Sequence, residues 1–218
     1  MTPEHRRGTV ADLHGLDPLT SKPEAPRLLW CDPTDAAVVL GSRQRPEDVD
    51  AERCASAGLS IVRRRSGGGA VIIEPDAVVW ADMVLPHGVA PDDVRGSMVW
   101  AGARWHAALA AVGIAPLDLH PGPMVCTEWS DLVCFAGLGP GELLRSGNKL
   151  VGLSQRRSRH GLRIQATLYR RPPTVDLGSL FAVDVPATQL PQPLVVDTGP
   201  AELLIEALAA ELAAATGC

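Results

Sequence analysis

Two short stretches hold most of the side chains that could do chemistry. The first is Arg63-Arg64-Arg65-Ser66-Gly67-Gly68-Gly69-Ala70-Val71. Consecutive glycines let a backbone approach a ligand closely, and their N–H groups can converge on an anion or a carbonyl oxygen. Neighbouring guanidiniums add bidentate charge for a phosphate or carboxylate. The run matches neither the G-x-x-x-x-G-K-[ST] nor the G-x-G-x-x-G nucleotide pattern, and a hairpin turn would use the same glycines without a ligand. The second stretch is Gly147-Asn148-Lys149-Leu150-Val151-Gly152-Leu153-Ser154-Gln155. A lysine leaving a tight turn can aim its ammonium across a sheet and stabilise charge on a reacting carbonyl or phosphoryl oxygen. Lysine is rare in this chain: of the 20 Lys and Arg residues, only Lys22 and Lys149 are lysine. An edge charge that blocks aggregation would be served equally by arginine, so a compact charge in a narrow site accounts better for Lys149. Between the two lies Cys134. A thiolate beside an ammonium is a good acyl acceptor, although a cysteine in an apolar strand can equally be a small core residue.

These residues need rigid elements to hold them. Short strands are expected at residues 27–31, 36–41, 59–63, 70–73 and 77–85, bounded by Pro and Gly punctuation. Residues 46–58 carry a helix signal that stops at Gly58. Residues 92–113 show a 3.6-residue stripe through Met98, Ala101, Trp105 and Leu109, the mark of a core-facing helix, on whose edge His106 reads as structural. Residues 130–171 read as a β-meander with strands at 131–135, 142–145, 149–155 and 162–170, and residues 200–214 as a final helix. Residues 1–26 lack periodicity and are expected to be a loosely ordered arm or edge segment, with 27–218 as the functional domain. The pattern is a single α+β domain: a mixed, mostly antiparallel β-sheet flanked by helices.

Composition narrows the function. The 218-residue chain is 46% hydrophobic with net charge −5, which suits a globular fold and argues against general nucleic-acid binding. No apolar run is long enough to span a membrane, and the N-terminus lacks a secretory signal, so a cytoplasmic protein is expected. Five cysteines without C-x-x-C spacing fit a reducing compartment with neither a disulfide framework nor a zinc site.

Taken in order, Arg63-Arg64-x-Ser66-Gly67-Gly68-Gly69-Ala70-Val71, then Ser130-Asp131-Leu132-Val133, then Gly147-x-Lys149-x-x-Gly152-x-Ser154-Gln155 resemble the lipoate–protein ligase A family, within the wider biotin/lipoyl ligase and octanoyltransferase superfamily. The resemblance implies that ATP with Mg²⁺ activates lipoate or octanoate as the acyl-AMP. A lysine on a lipoyl domain, of a 2-oxoacid dehydrogenase or a glycine-cleavage H protein, then attacks it. It further implies that Lys149 contacts the acyl carbonyl and α-phosphate, that Gly67, Gly68, Gly69, Ala70 and Val71 line the acyl and phosphate tunnel, that Arg63 and Arg64 bind or order the nucleotide side, and that Asp131 holds part of the loop or tunnel. Ser66, Gly152 and Ser154 belong to the same matched motifs. The chain departs from the family in having Ile72-Ile73-Glu74 where an aromatic and His-Asp are usual, and Gln165-Ala166-Thr167 in place of a His-Gly-Thr type sequence. No counterpart of the family's N-terminal helix is visible before Trp30.

A second resemblance runs through Val133-Cys134-Phe135, Gly141-Glu142-Leu143 and Gly147-x-Lys149, which is similar to the cysteine-dependent octanoyltransferases. It implies an octanoyl group taken from acyl carrier protein through a thioester on Cys134, without ATP. A non-catalytic acyl-binding member is a third reading. The run Arg156-Arg157-Ser158-Arg159-His160-Gly161-Leu162-Arg163 reads either as a contact for an acidic acceptor or carrier, or as a solvated turn.

Overall fold

Period-2 alternation decides which face of each strand meets which layer. In a computed structural model, every residue is described except 184, 186–189 and 218. The strands are β1 (Glu4–Gly8), β2 (Arg27–Pro33), β3 (Ala37–Leu40), β4 (Ser60–Arg63), β5 (Val71–Ile73), β6 (Val78–Leu85), β7 (Asp118–Leu119), β8 (Leu143–Arg145), β9 (Asn148–Ser158) and β10 (Gly161–Tyr169). The helices are α1 (Val10–Gly15), α2 (Ala51–Ser56), α3 (Val94–Ala111) and α4 (Ala201–Thr216). A seven-stranded sheet runs β1-β2-β6-β10-β9-β8-β7, and a three-stranded sheet runs β4-β3-β5. Within them only β1/β2 and β3/β4 pair in parallel.

Strand β6 is buried along its whole length because both its faces are covered. Val79, Ala81, Met83 and Leu85 point to α3 and α4 and join Trp105, Leu109, Leu204 and Leu208 in one core. Val78, Trp80 and Val84 point the other way and meet Val39, Val71 and Ile73 of the small sheet in a second core. The outer face of the small sheet, with Val38, Leu40 and Ile72, packs with Cys54, Val133 and Phe181 in a third. Truncating one of these fully buried aromatics, such as Trp80, costs about 3–5 kcal/mol.

Helix α3 starts where Asp93 accepts from the Gly96 N–H and follows the expected stripe. The signal over residues 46–58 divides instead into a 3-10 turn at Pro46–Asp48 and helix α2. Asp50 makes the restart by accepting from the N–H groups of Glu52 and Arg53, as an N-cap does. The strand expected at residues 131–135 is absent. Val133 makes one isolated bridge to Ala70, and Cys134–Ala136 is a 3-10 turn. Val133 and Phe135 are drawn into different cores, whereas residues two apart in a strand share one face of the sheet. Residues 1–26 supply the parallel edge strand β1 and helix α1, capped by Thr9. That helix lies where no counterpart of the family's N-terminal helix could be seen in the sequence.

Candidate active site

The glycine loop joins β4 to β5 across the open end of the small sheet. Arg64 is buried inside it: Nη2 donates to the carbonyls of Gly67 and Gly69, both at 2.8 Å, and Nη1 to that of Val39 at 3.3 Å. Among the described residues no carboxylate pairs with it, so its charge is uncompensated. Burial lowers the guanidinium below its ordinary value, and the Cys134 sulfur beside it works in the opposite direction. The loop is stitched to the cysteine segment by the Ala70 N–H on Leu132 O at 2.7 Å and the Cys134 N–H on Ala70 O at 2.9 Å. This approach requires glycine at position 69, where a Cβ would lie 2.6 Å from the Val133 carbonyl carbon. Gly68 turns through φ +97°, and a Cβ there would face both Arg64 Nη2 at 2.8 Å and Cys134 Sγ at 3.9 Å.

Across from the loop, Lys149 enters β9 and is buried. Its Nζ donates to the carbonyls of Cys134 at 2.8 Å and Gly137 at 3.2 Å, and pairs with Glu142 Oε1 at 2.7 Å. Glu142 is held in turn by the N–H groups of Gly139 and Leu153. Two cavities meet at this point. One, about 30 Å³, lies between the sheets against Val39, Val71, Trp80 and Thr167. The other is an open groove of about 380 Å³ bounded by the glycine loop, Met124 and Lys149. Cys134, Leu153 and Ser154 border both.

The described family model of the lipoyl protein ligase A/B catalytic domain matches residues 18–189. The chain belongs to that family. No curated protein matches it in sequence. A T. acidophilum protein described as a lipoate protein ligase, with lipoic acid bound, has a similar structure: TM-score 0.71, 16% identity, 99% of this chain and 85% of that chain covered. A lipoate-protein ligase A bound with ATP gives TM-score 0.65 at 15% identity, covering 97% and 85%. A bipartite lipoate protein ligase of T. acidophilum, described with its E2 lipoyl domain, gives 0.66 at 17%, covering 98% and 84%. At such identities the likeness speaks for the fold, that of the lipoate ligase catalytic domain.

Within this family frame the residues of the three matched motifs come together, with exceptions. Ser66 Oγ reaches Ser154 Oγ, Gly152 lines the inter-sheet cavity, and Lys149 and the glycine loop border the same groove. Ala70 and Val71 follow the loop into β5, and Val71 lines the inter-sheet cavity. Arg63 is exposed, and its side chain has no hydrogen-bond or ion-pair partner among the described residues. Asp131 is also exposed; its carbonyl, with that of Leu132, accepts from the Gln44 side chain. The basic run is largely used internally: Arg156 pairs with Asp17, Arg157 donates to the Pro91 and Asp93 carbonyls, and Arg163 is buried on Asp82.

Sequence reasoning missed a buried polar chain behind the cavity. Ser66 Oγ donates to Gln165 Oε1 at 2.7 Å and lies 2.9 Å from Ser154 Oγ. Asp82 Oδ2 accepts from Arg163 Nε at 2.7 Å and Asp82 Oδ1 from Trp80 Nε1 at 2.8 Å. Arg163 continues to the carbonyls of Leu16 and Leu13, so it anchors α1 to the sheet. His14 of α1 stacks on Trp80 at 4.4 Å and borders the inter-sheet cavity. Burial, then the charges of Arg163 and Arg64, lower its pKa to about 3. The one available signal was Asp82 and Arg163, charges placed inside otherwise apolar strands. No helix among the described residues is long and apolar enough to cross a membrane.

Proposed function

We propose that this protein moves an octanoyl- or lipoyl-type acyl group onto the lysine of a lipoyl domain, with Cys134 as the acyl carrier. The observation that carries the reading is the position of Cys134, which borders both the cavity between the sheets and the open groove. An acyl carbonyl held at the sulfur would direct its chain towards the first, and the second would admit the carrier or the acceptor. In the first step the Cys134 sulfur bonds to the acyl carbon of an acyl carrier protein thioester. The carrier's thiol leaves with the proton that Cys134 gives up. In the second step the acceptor amine bonds to the same carbon, the Cys134 C–S bond breaks, and the amine's proton returns to sulfur. Arg64 presents an unpaired positive charge beside the sulfur, while the Lys149 ammonium, fixed by Glu142, stands over the carbonyls of the Cys134 turn. Octanoyl–acyl carrier protein as donor, a lipoyl domain or glycine-cleavage H protein as acceptor, and a cytoplasmic location belong to this reading.

A second reading is the ATP-dependent ligase. It is supported by the family and by the ATP bound to the lipoate-protein ligase A of the same fold. Gly67, Gly68 and Gly69 with Arg63 and Arg64 would then face the acyl-AMP, with Mg²⁺ accompanying ATP. The experiment is the intact mass of a lipoyl domain after incubation with the protein, in two arms. Octanoyl–acyl carrier protein without ATP is expected to modify it. Modification only with octanoate or lipoate, ATP and Mg²⁺ would establish the ligase and make Cys134 structural. An unmodified acceptor in both arms, beside a working control ligase, would overturn both and favour an acyl binder.

A further inference from the structure

One aromatic ring borders three separate spaces. Phe135 lines the inter-sheet cavity, a second apolar cavity beside β5, and the outer pocket behind Lys149. The first two are each about 30 Å³, room for about two water molecules, and they share Val71 and Phe135 as a common wall. An eight-carbon chain fills more than two water volumes, so neither holds one while the ring is in place. The second cavity is walled by Ile72, Val175, Leu177 and Leu190, side chains suited to a hydrocarbon. The ring itself meets Tyr169 edge-on at 5.4 Å and lies over Gly152, where a Cβ would stand 3.4 Å from it. Glycine there leaves no side chain to hold the ring from below.

We infer that Phe135 is the partition that sets acyl-chain length, and that the cavity beside β5 receives the distal methylenes of a medium-chain acyl group when the ring gives way. The inference rests on the acyl-transfer reading above and names its substrate range. Removing the ring joins the two cavities, so longer chains gain burial that shorter ones cannot use. Each added methylene is worth about fourfold in affinity when it is buried.

The test is calorimetric titration of octanoate and dodecanoate into the wild-type protein, Phe135→Ala and Phe135→Ala/Val175→Trp, alongside labelling of the acceptor from the corresponding acyl carrier protein thioesters. Phe135→Ala is expected to shift the dodecanoate-to-octanoate affinity ratio by at least tenfold towards the longer chain, and Val175→Trp to reverse that shift. A ratio unchanged in a folded Phe135→Ala protein, or a shift that Val175→Trp leaves intact, overturns the assignment. Should Phe135→Ala fail to fold, Phe135→Leu carries the same comparison, with at least a threefold shift expected and an unchanged ratio again overturning it. The two readings fail separately: a shifted ratio without acceptor labelling removes the transfer reaction but keeps the partition. Labelling with an unshifted ratio does the reverse.

Discussion

Lys149 and Glu142 form a buried ion pair, 2.7 Å between Nζ and Oε1, with side-chain exposures of 7% and 4%. Both partners are satisfied further by backbone groups, so the ammonium has one fixed position at the edge of the groove. A buried pair adds little net stability, but removing one partner leaves the other charge stranded. Glu142→Gln is therefore expected to cost about 3 kcal/mol in urea unfolding and to lower acceptor labelling at least tenfold. Wild-type stability in that variant would show the pair to be dispensable.

Arginine cannot reproduce a point charge in this space. Lys149→Arg is expected to keep the fold but lose at least about tenfold in turnover, some 1.4 kcal/mol. An unchanged rate in the acceptor-mass assay would take Lys149 out of the chemistry.

Cys134→Ser separates the two chemical readings. Labelling from the acyl carrier thioester is expected to fall to background, because the hydroxyl is a far weaker nucleophile than a thiolate. Labelling that survives would return Cys134 to a packing role and put the adenylate route first.

The glycines of the loop are not equivalent. At Gly69 an added methyl meets the Val133 backbone at 2.6–2.7 Å, and backbone cannot step aside; at Gly67 nothing lies within 4 Å. Gly69→Ala is expected to cost about 1–3 kcal/mol and lower the melting temperature. Gly67→Ala should stay within about 0.5 kcal/mol. Equal melting temperatures for the two variants would contradict the close approach of the loop to the cysteine segment.

His14 makes folding sensitive to acid. Its pKa in the native state, about 3, lies below the ordinary 6.5, so between those values the unfolded chain holds a proton that the folded one does not. Stability therefore falls as pH drops from 6.5 towards 3, at up to about 1.4 kcal/mol per pH unit from this residue. His14→Phe, which keeps a ring against Trp80, is expected to flatten that part of the stability–pH curve. Parallel wild-type and variant curves would mean that His14 is not the group responsible.

Much of this architecture was legible from local pattern. Residues 92–113 announced α3 through a helical stripe, and the apolar run at residues 77–85 announced a strand, because packing period is written directly in side-chain order; that both faces of that strand are buried is shown by the structure alone. The three motifs around Ser66, Asp131 and Lys149 carried the family. Residues 131–135 misled, since Val-Cys-Phe has strand composition while its side chains serve two different cores. Glu142, Gln44 and His14 gave no sign of their roles, because each acts on a partner distant in the chain or set by a turn.

What the sequence determined by itself was the fold class, the family, and the residue types of the candidate site. What only the tertiary structure decided was which of those residues meet. Arg64 turns inward onto backbone carbonyls while its neighbour Arg63 faces solvent, and most of the basic run is taken up inside the molecule. Cys134 comes to border two cavities, with Leu153 and Ser154. Residue order specifies periodicity and local caps, but burial and charge pairing depend on which surfaces the two sheets bring together, and those contacts span distances in the chain that no local pattern encodes.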